Sequence, residues 1–370
     1  MSPTDDVRHA SPRSCTGAGP SDELALVEEM LTAQVGHHAT KLTGVSDELQ
    51  QVSDAVTEMV RGGKRLRAAF CLAGAHGSAR GEVVPGAVEM AAAIELFHLA
   101  ALVHDDLMDN SDLRRGQPTV HRRFADEHVR SRRRGSADGH GSAVAVLVGD
   151  MCLSWSDDLA TAAADTLDID GRRAVRSMWS AMRDEAYGGQ FLDMLSQTEA
   201  ATSRDRTHRV LRYKSARYTV SRPLGLGGAL GGAHPELLAR YDEIGLAAGE
   251  AFQLRDDVLG VFGDEHVTGK PAVDDIREGK RTLLIAVAEE RAGFAQRRVL
   301  SRHLGNSVVT SADVESVREV LRDTGAVEAV EDRIDTLTGD ALSMVDELDV
   351  DTHTRQCLAE LIHRCVRRRS

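Results

Sequence analysis

The chain has 370 residues and a net charge of −13 at pH 7, so its surface repels nucleic acid and anionic membranes, and an anionic ligand must be met by a local basic cluster or by metal. Hydrophobic residues make up 42% and aromatics only 4%, with 8 prolines, a composition that favours long helices over sheets. The cysteines, Cys15, Cys71, Cys152, Cys357 and Cys365, form no Cys-x-x-Cys pair and offer neither a zinc site nor a disulfide framework, which places the chain in the cytoplasm with reduced thiols.

Residues 1–20 mix Pro, Ser, Gly and charge without periodicity and read as a disordered terminus, followed by one all-α domain over 21–370. The opening stretch lacks the apolar segment of a signal peptide. From Leu24 onward apolar residues recur at helical spacing, cut by glycine, proline and serine into roughly ten helices. Gly62-Gly63-Lys64-Arg65-Leu66-Arg67 precedes one of them; Lys64 and Arg67, spaced i and i+3, can grip one anion together. The apolar run Ala91 to Val103 is interrupted by Glu95 and His98, which argues against a transmembrane segment. It leads into His-Asp-Asp-Leu-Met-Asp, where Asp105 and Asp109 are i and i+4 and project from one helix face, with Asp112 continuing that face. Arg114-Arg115 and a loop at Gly116-Gln117-Pro118 follow.

The Ser/Arg/Gly stretch from Arg130 to Ser142 reads as a loop, and its arginines, like those from Arg364 to Arg369, as solvated charge. Gly189-Gln190 reads either as a helix irregularity with a core amide or as a substrate contact. Lys214-Ser215 falls mid-chain. Leu237, Leu238, Tyr241, Ile244, Gly245, Ala248 and Phe252 mark a helix running into Gln253 and a second acidic pair, Asp256-Asp257. Gly263 to Pro271 reads as a loop holding Gly269-Lys270-Pro271; Gly279-Lys280-Arg281 comes next, and Thr282 reads as a helix cap. No convincing alternating strand is present.

An acidic helix face repels itself unless cations bridge it. Hard oxygen ligands offered one or two at a time suit Mg²⁺, which keeps several waters and completes its shell with phosphate oxygens. Two such faces across a cavity can hold one diphosphate.

This ordered set resembles the trans-isoprenyl diphosphate synthase family, the head-to-tail prenyltransferases, over roughly residues 22–365. The resemblance implies a bundle of antiparallel helices around a deep central cavity, a homodimer, and three Mg²⁺ ions bound together with the allylic diphosphate. It places Asp105, Asp109 and Asp256 on metal, with Asp106 and Asp257 in support. Arg114, Lys214 and Lys270 fall to the allylic diphosphate, and Lys64, Arg67, Arg115 and His98 to isopentenyl diphosphate. Gly63, Ser215, Gln253 and Lys280 also fall where the family binds substrate. The implied catalytic set is Asp105, Asp106, Asp109, Lys214, Asp256 and Lys270. One departure is Gly260, where the second motif often carries a third aspartate; Asp264 is the candidate to supply that charge.

Ionisation of an allylic diphosphate leaves a delocalised carbocation that the double bond of isopentenyl diphosphate attacks, and no protein nucleophile is needed. Of two rivals, a class I terpene cyclase should carry Asn/Asp, Ser/Thr and Glu in its second metal motif, which Asp256-Asp257-Val258-Leu259-Gly260 does not. A non-catalytic subunit should lose acidic residues, and the first motif is intact. Product length is expected from the helix ending at Asp105, whose turn of about 5.4 Å matches one isoprene unit. Ala100 and Ala101 leave room where shorter-chain synthases commonly place an aromatic, and Phe97 closes the next turn. The expectation is a twenty-carbon product, geranylgeranyl diphosphate, with the twenty-five-carbon geranylfarnesyl and fifteen-carbon farnesyl products as alternatives. Ala100→Phe should shorten the product and Phe97→Ala lengthen it.

Overall fold

The structure, a computed structural model, describes residues 20–199, 201–263, 273–306 and 308–367. The expectations for residues 1–19, for Asp264 and for Gly269-Lys270-Pro271 lie outside the described residues. The all-α expectation holds: the described regular structure is almost entirely helical. In chain order the helices are α1 (Pro20–Val45), α2 (Gln50–Val60), α3 (Leu66–Ser78), α4 (Ala87–Met108), α5 (Val120–Arg130), α6 (Ala137–Ala164) and α7 (Ile169–Gln197). Then come α8 (Arg204–Val210), a π-helical stretch (Leu211–Ser221), α9 (Arg222–Leu230) and α10 (Pro235–Phe262). The series ends with α11 (Val273–Glu278), α12 (Leu283–Arg291), α13 (Phe294–His303), α14 (Ser311–Asp323), α15 (Ala326–Asp346) and α16 (Thr352–Val366).

More elements exist than the glycine and proline punctuation predicts, because α8, the π-helical stretch and α9 follow one another without a break that composition marks. Two further readings are corrected. The stretch to Ser142 is not all loop: α6 starts at Ala137, and the Ser136 hydroxyl caps it by accepting from the Gly139 amide at 3.1 Å. A short antiparallel ladder pairs Leu113 with Pro118 and Arg114 with Gln117. Its two turn residues, Arg115 (φ 53°) and Gly116 (φ 74°), take the left-handed conformation that a tight hairpin requires.

Helix α4 is the spine. Residues Met90 to Ile94, Leu96 and Ala100 are fully buried, and α3, α6 and α1 pack around it. It is the described helix long and apolar enough to cross a membrane, yet 67% of its apolar window is buried, as in a core helix apolar on every side. Glu95, anomalous in that run, is explained by a neighbour. Its carboxylate accepts from the free Ala68 amide in the first turn of α3 at 3.1 Å and from Arg65 at 3.3 Å. Arg65 precedes α3 in a left-handed conformation (φ 46°) and has no side-chain cap of its own, so Glu95 caps that helix from across the core.

The π-helical stretch is wedged between α7 and α10 on glycines. A Cβ on Gly249 would stand 2.6 Å from Ala216 Cα, one on Gly245 2.8 Å from Ser221 Cβ, and one on Gly189 2.7 Å from Lys214 Cα. Backbone meets backbone there, and only hydrogen fits. That close approach brings Lys214, Ser215, Tyr218 and Thr219 to one cavity.

Candidate active site

A cavity of about 840 Å³ opens between α3, α4, α7, the π-helical stretch, α10 and the segment from α11 to α12. One wall is the C-terminal end of α4. Asp105 Oδ1 accepts from Gln190 Nε2 at 3.0 Å and from Lys214 Nζ at 3.2 Å, while Arg114 Nη2 lies 3.6 Å from Oδ2. Gln190 therefore orients a carboxylate, a role neither sequence reading anticipates. Asp106 is buried and points away from the cavity into a fork with Arg114, whose Nε lies 2.9 and 3.1 Å from its two oxygens. Arg114, expected on a substrate phosphate, lines the cavity and also clamps the first acidic cluster. Asp109 Oδ1 and Oδ2 are buried without a hydrogen bond, with Lys280 Nζ 3.8 Å away. Burial and the neighbouring Asp105 push its carboxyl up to about 7. Asp112 does not extend this face, because α4 ends at Met108; it pairs with Arg122 at 2.7 Å.

The opposite wall is α10. Asp256 is exposed to the cavity, and burial pushes Asp257 up to about 8 against the Gln253 amide that donates to it at 2.8 Å. Gln253 lines the cavity and orients Asp257. Between the walls stand two lysines. Lys214 is 2.6 Å from Asp193, and although burial works to lower its pKa, Asp105 and Asp193 raise it overall. Lys280 is 2.7 Å from Glu278 and 3.0 Å from Asp275. Asp193, Asp275 and Glu278 escape the sequence reading. Asp193 lies one helical turn after Gln190, a spacing that could have found it. Thr282 caps α12 as expected, accepting weakly from the Ile285 amide at 3.5 Å.

A cationic corner adjoins these walls. Lys64, Arg67 and Arg115 all line the cavity. Lys64 and Arg67 are not on one helix face, since α3 begins at Leu66 and Gly62 (φ 86°) and Gly63 (φ 104°) turn the chain ahead of it. A side chain at 63 would press on the Arg115 guanidinium, 3.2 Å from a built Cβ. Arg115 makes no ion pair among the described residues, and burial together with Arg65 and Arg114 pulls its pKa down. Arg67 Nη2 donates to Thr219 at 3.0 Å and the guanidinium stacks 4.5 Å from the Tyr218 ring, but its buried Nε has no partner. His98 also lines the cavity. Burial and the nearby Arg67 and Arg115 hold it well below the usual histidine value, and Nδ1 lies 2.7 Å from the Tyr218 hydroxyl.

The floor is apolar. Phe97 and Ala101 line the cavity two turns and one turn before Asp105, and Phe97 packs on Tyr218, Trp179 and Tyr187 with ring centroids 5.6, 5.9 and 6.0 Å away. Ala100 does not face the cavity. It points the other way into the core, about 100° around α4 from Ala101. Ser215 and Gly63 line the cavity as expected, and Lys270 lies outside the described residues.

The family described as Polyprenyl synthetase matches residues 49–322. A geranylgeranyl diphosphate synthase of Saccharolobus solfataricus is 31% identical over 265 residues, 70% of this chain and 73% of the relative. A geranylfarnesyl diphosphate synthase of Aeropyrum pernix is 30% identical over 335 residues, 86% of this chain and 94% of the relative. The crystal structure of a geranylgeranyl pyrophosphate synthase from Corynebacterium glutamicum, complexed with isoprenyl diphosphate and magnesium, superposes with a TM-score of 0.89 at 35% identity, covering 95% of this chain and 100% of that one. The fold is the all-α isoprenoid synthase fold, and the chain belongs to the polyprenyl synthetase family. It is a prenyltransferase.

Proposed function

We propose that this chain joins isopentenyl diphosphate head to tail to an allylic prenyl diphosphate, with Mg²⁺ at its acidic walls, and releases mainly geranylgeranyl diphosphate. The observation that carries the reading is the pairing of two acidic walls with a separate cationic corner whose donors are unspent: Arg115 without an ion pair and Arg67 with a buried, unpartnered Nε. A cyclase, which takes one diphosphate, has no use for that corner.

The residues fit divalent metal. Carboxylates of Asp105 on one wall and Asp256 on the other face the cavity, and Mg²⁺ takes one or two protein oxygens per wall and phosphate oxygens for the rest. The Asp109 oxygens, buried without a hydrogen bond and with only Lys280 at 3.8 Å to offset their burial, suit a further cation. Asp105, Asp109 and Asp256 are the assigned ligands. Bound there, the ions act as Lewis acids toward the allylic diphosphate.

Lys214 and Lys280 stand as fixed donors between the walls, where the departing diphosphate gathers charge as its C–O bond breaks, and Lys270 is assigned to the same group. Lys64, Arg67 and Arg115 hold isopentenyl diphosphate by charge alone and set its double bond against the cation. The departing diphosphate takes the proton once the new C–C bond has formed. Apolar walls at Phe97, Ala101 and Leu102 keep water from the cation.

The test is the split between substrates. Arg115→Ala, Arg67→Ala or Lys64→Ala should raise KM for isopentenyl diphosphate by about tenfold or more, the loss of a charge-assisted hydrogen bond, and change the allylic KM far less. Equal weakening of both would overturn the two-pocket assignment.

A second copy is part of the reading. Tyr187, Phe191, Met194 and Leu195 form an apolar stripe along α7 and are 49%, 61%, 40% and 38% exposed, at the edge of the cavity that Tyr187 also lines. Sedimentation should give twice 40.0 kDa, and a monomer at micromolar concentration would contradict the dimer. Buried Cys71 and Cys152, both free thiols, suit the reducing cytoplasm to which we assign it.

A further inference from the structure

The cationic corner is carried by the turn between α2 and α3, where three residues take positive φ: Gly62 (86°), Gly63 (104°) and Arg65 (46°). Glycine adopts that conformation freely. An arginine there is strained and persists only where its surroundings over-determine it. Arg65 is 7% exposed, so those surroundings are protein.

Three elements close on its guanidinium. Nε and Nη2 donate to the two carboxylate oxygens of Glu28 on α1 at 2.6 and 2.9 Å, the parallel fork that gives an arginine–carboxylate pair both strength and direction. Nη2 also donates to the Val60 carbonyl at the end of α2, and Nη1 to Glu95 on α4 at 3.3 Å. Four of the five guanidinium N–H groups are thus spent on protein. Lys64 and Arg67, on either side of Arg65 in the chain, line the cavity, and Arg65 and Glu95 stand in the same wall. Glu28 is outside the lining of the cavity among the described residues, and its side chain is 43% exposed. It also lies ahead of residues 49–322, the span that matches the family.

We propose that Glu28 and Arg65 form a latch that holds residue 65 left-handed and so sets Lys64 and Arg67 toward isopentenyl diphosphate, making α1 a determinant of binding for a substrate it does not touch. Both are positioning residues. Glu95 does not suffice alone, because one of its oxygens takes the Ala68 amide and the other gives Arg65 a single, longer bond. With the fork gone, the backbone at 65 relaxes toward an ordinary right-handed or extended conformation and turns Lys64 relative to Arg67. A misplacement of about 1 Å in a binding group is enough to cost about 100-fold. The allylic diphosphate is met by Lys214 and Lys280 from other elements, so the latch acts on one substrate only. The inference rests on the synthase reading of the site, since that reading assigns Lys64 and Arg67 to isopentenyl diphosphate.

The variants that test it are Glu28→Gln, Arg65→Gly and the two combined. Glutamine keeps the size of the side chain and removes its charge; glycine takes φ 46° without strain, so Arg65→Gly removes the tie and leaves the turn accessible. The readouts are the Michaelis constants for isopentenyl diphosphate and farnesyl diphosphate, kcat, and the melting temperature. Glu28→Gln should raise KM for isopentenyl diphosphate by about tenfold, the loss of a charge-assisted fork, while KM for farnesyl diphosphate stays within about twofold and kcat within about threefold. Arg65→Gly should raise the same constant further. The double variant should be no weaker than Arg65→Gly alone, because Glu28 acts only through Arg65, a coupling that independent sites do not show. An ion pair that merely stabilises the fold would instead lower the melting temperature and kcat and leave both Michaelis constants unmoved. That result would overturn the inference while the synthase reading stands. So would equal weakening of both substrates, a constant for isopentenyl diphosphate within about twofold of wild type in Glu28→Gln, or effects that multiply in the double variant. Where Arg65→Gly fails to fold, Glu28→Gln decides alone. Failure of the wild type itself to incorporate isopentenyl diphosphate would instead remove the synthase reading and the inference with it.

Discussion

Asp105→Ala is expected to lower turnover by at least about 100-fold, the cost of losing one preorganised charge at a reacting diphosphate. The carboxylate is the hub of the first wall: Gln190 and Lys214 donate to one oxygen, and Arg114 stands by the other. Its removal leaves Lys214 paired with Asp193 alone and removes an assigned ligand of the metal. The loss should be specific to the loaded site. Wild type should gain melting temperature in Mg²⁺ plus an allylic bisphosphonate, as any ligand of the folded state requires, whereas Asp105→Ala should lose most of that gain while melting much like wild type without ligand. Near-normal turnover would overturn the assignment of the first wall.

The second large effect is on product length. Phe97→Ala should shift the main product to one or more isoprene units beyond twenty carbons, because it removes the cavity floor two turns before Asp105, at about one unit per 5.4 Å turn. Trp179, Tyr187 and Tyr218 frame the space this opens. Truncating a buried phenylalanine costs about 3–5 kcal/mol of stability, so products should be sized at low temperature on protein verified as folded. Ala101→Phe should raise the floor and shorten the product. Ala100→Phe should not, since Ala100 faces the core and an added ring there overpacks it. Unchanged product distributions in both Phe97→Ala and Ala101→Phe would show that α4 is not the ruler.

The parts of the site legible in the sequence are those set by local periodicity. Asp105 lines the cavity from the last turn of α4, with Asp109 buried at the C-cap one turn on, and motif order alone leads to Lys64, Arg67, Arg115, Lys214, Ser215, Asp256 and Lys280, all of which line the cavity. What stayed hidden depends on which way a side chain turns or on contacts remote in sequence. His98 sits among arginines that only the fold assembles, so the lowering of its pKa cannot be read from the helix that carries it. Ala100 and Ala101 are adjacent, and packing of α6 on α4 decides which faces ligand. Arg114 turns back onto Asp106 because a left-handed hairpin at Arg115 and Gly116 reverses the chain. The π-helical stretch is invisible to a 3.6-residue period and depends on three glycines in two other helices.

The central claim is that one cavity condenses two different diphosphates. Its most direct test is incubation of the purified chain with labelled isopentenyl diphosphate, farnesyl diphosphate and Mg²⁺, with the products separated by chain length. The account predicts label in geranylgeranyl diphosphate, release of inorganic diphosphate in equal amount, and no label in prenyl product when the allylic substrate or the metal is withheld. Release of diphosphate from farnesyl diphosphate without incorporation of label, giving a hydrocarbon or an alcohol, would contradict it.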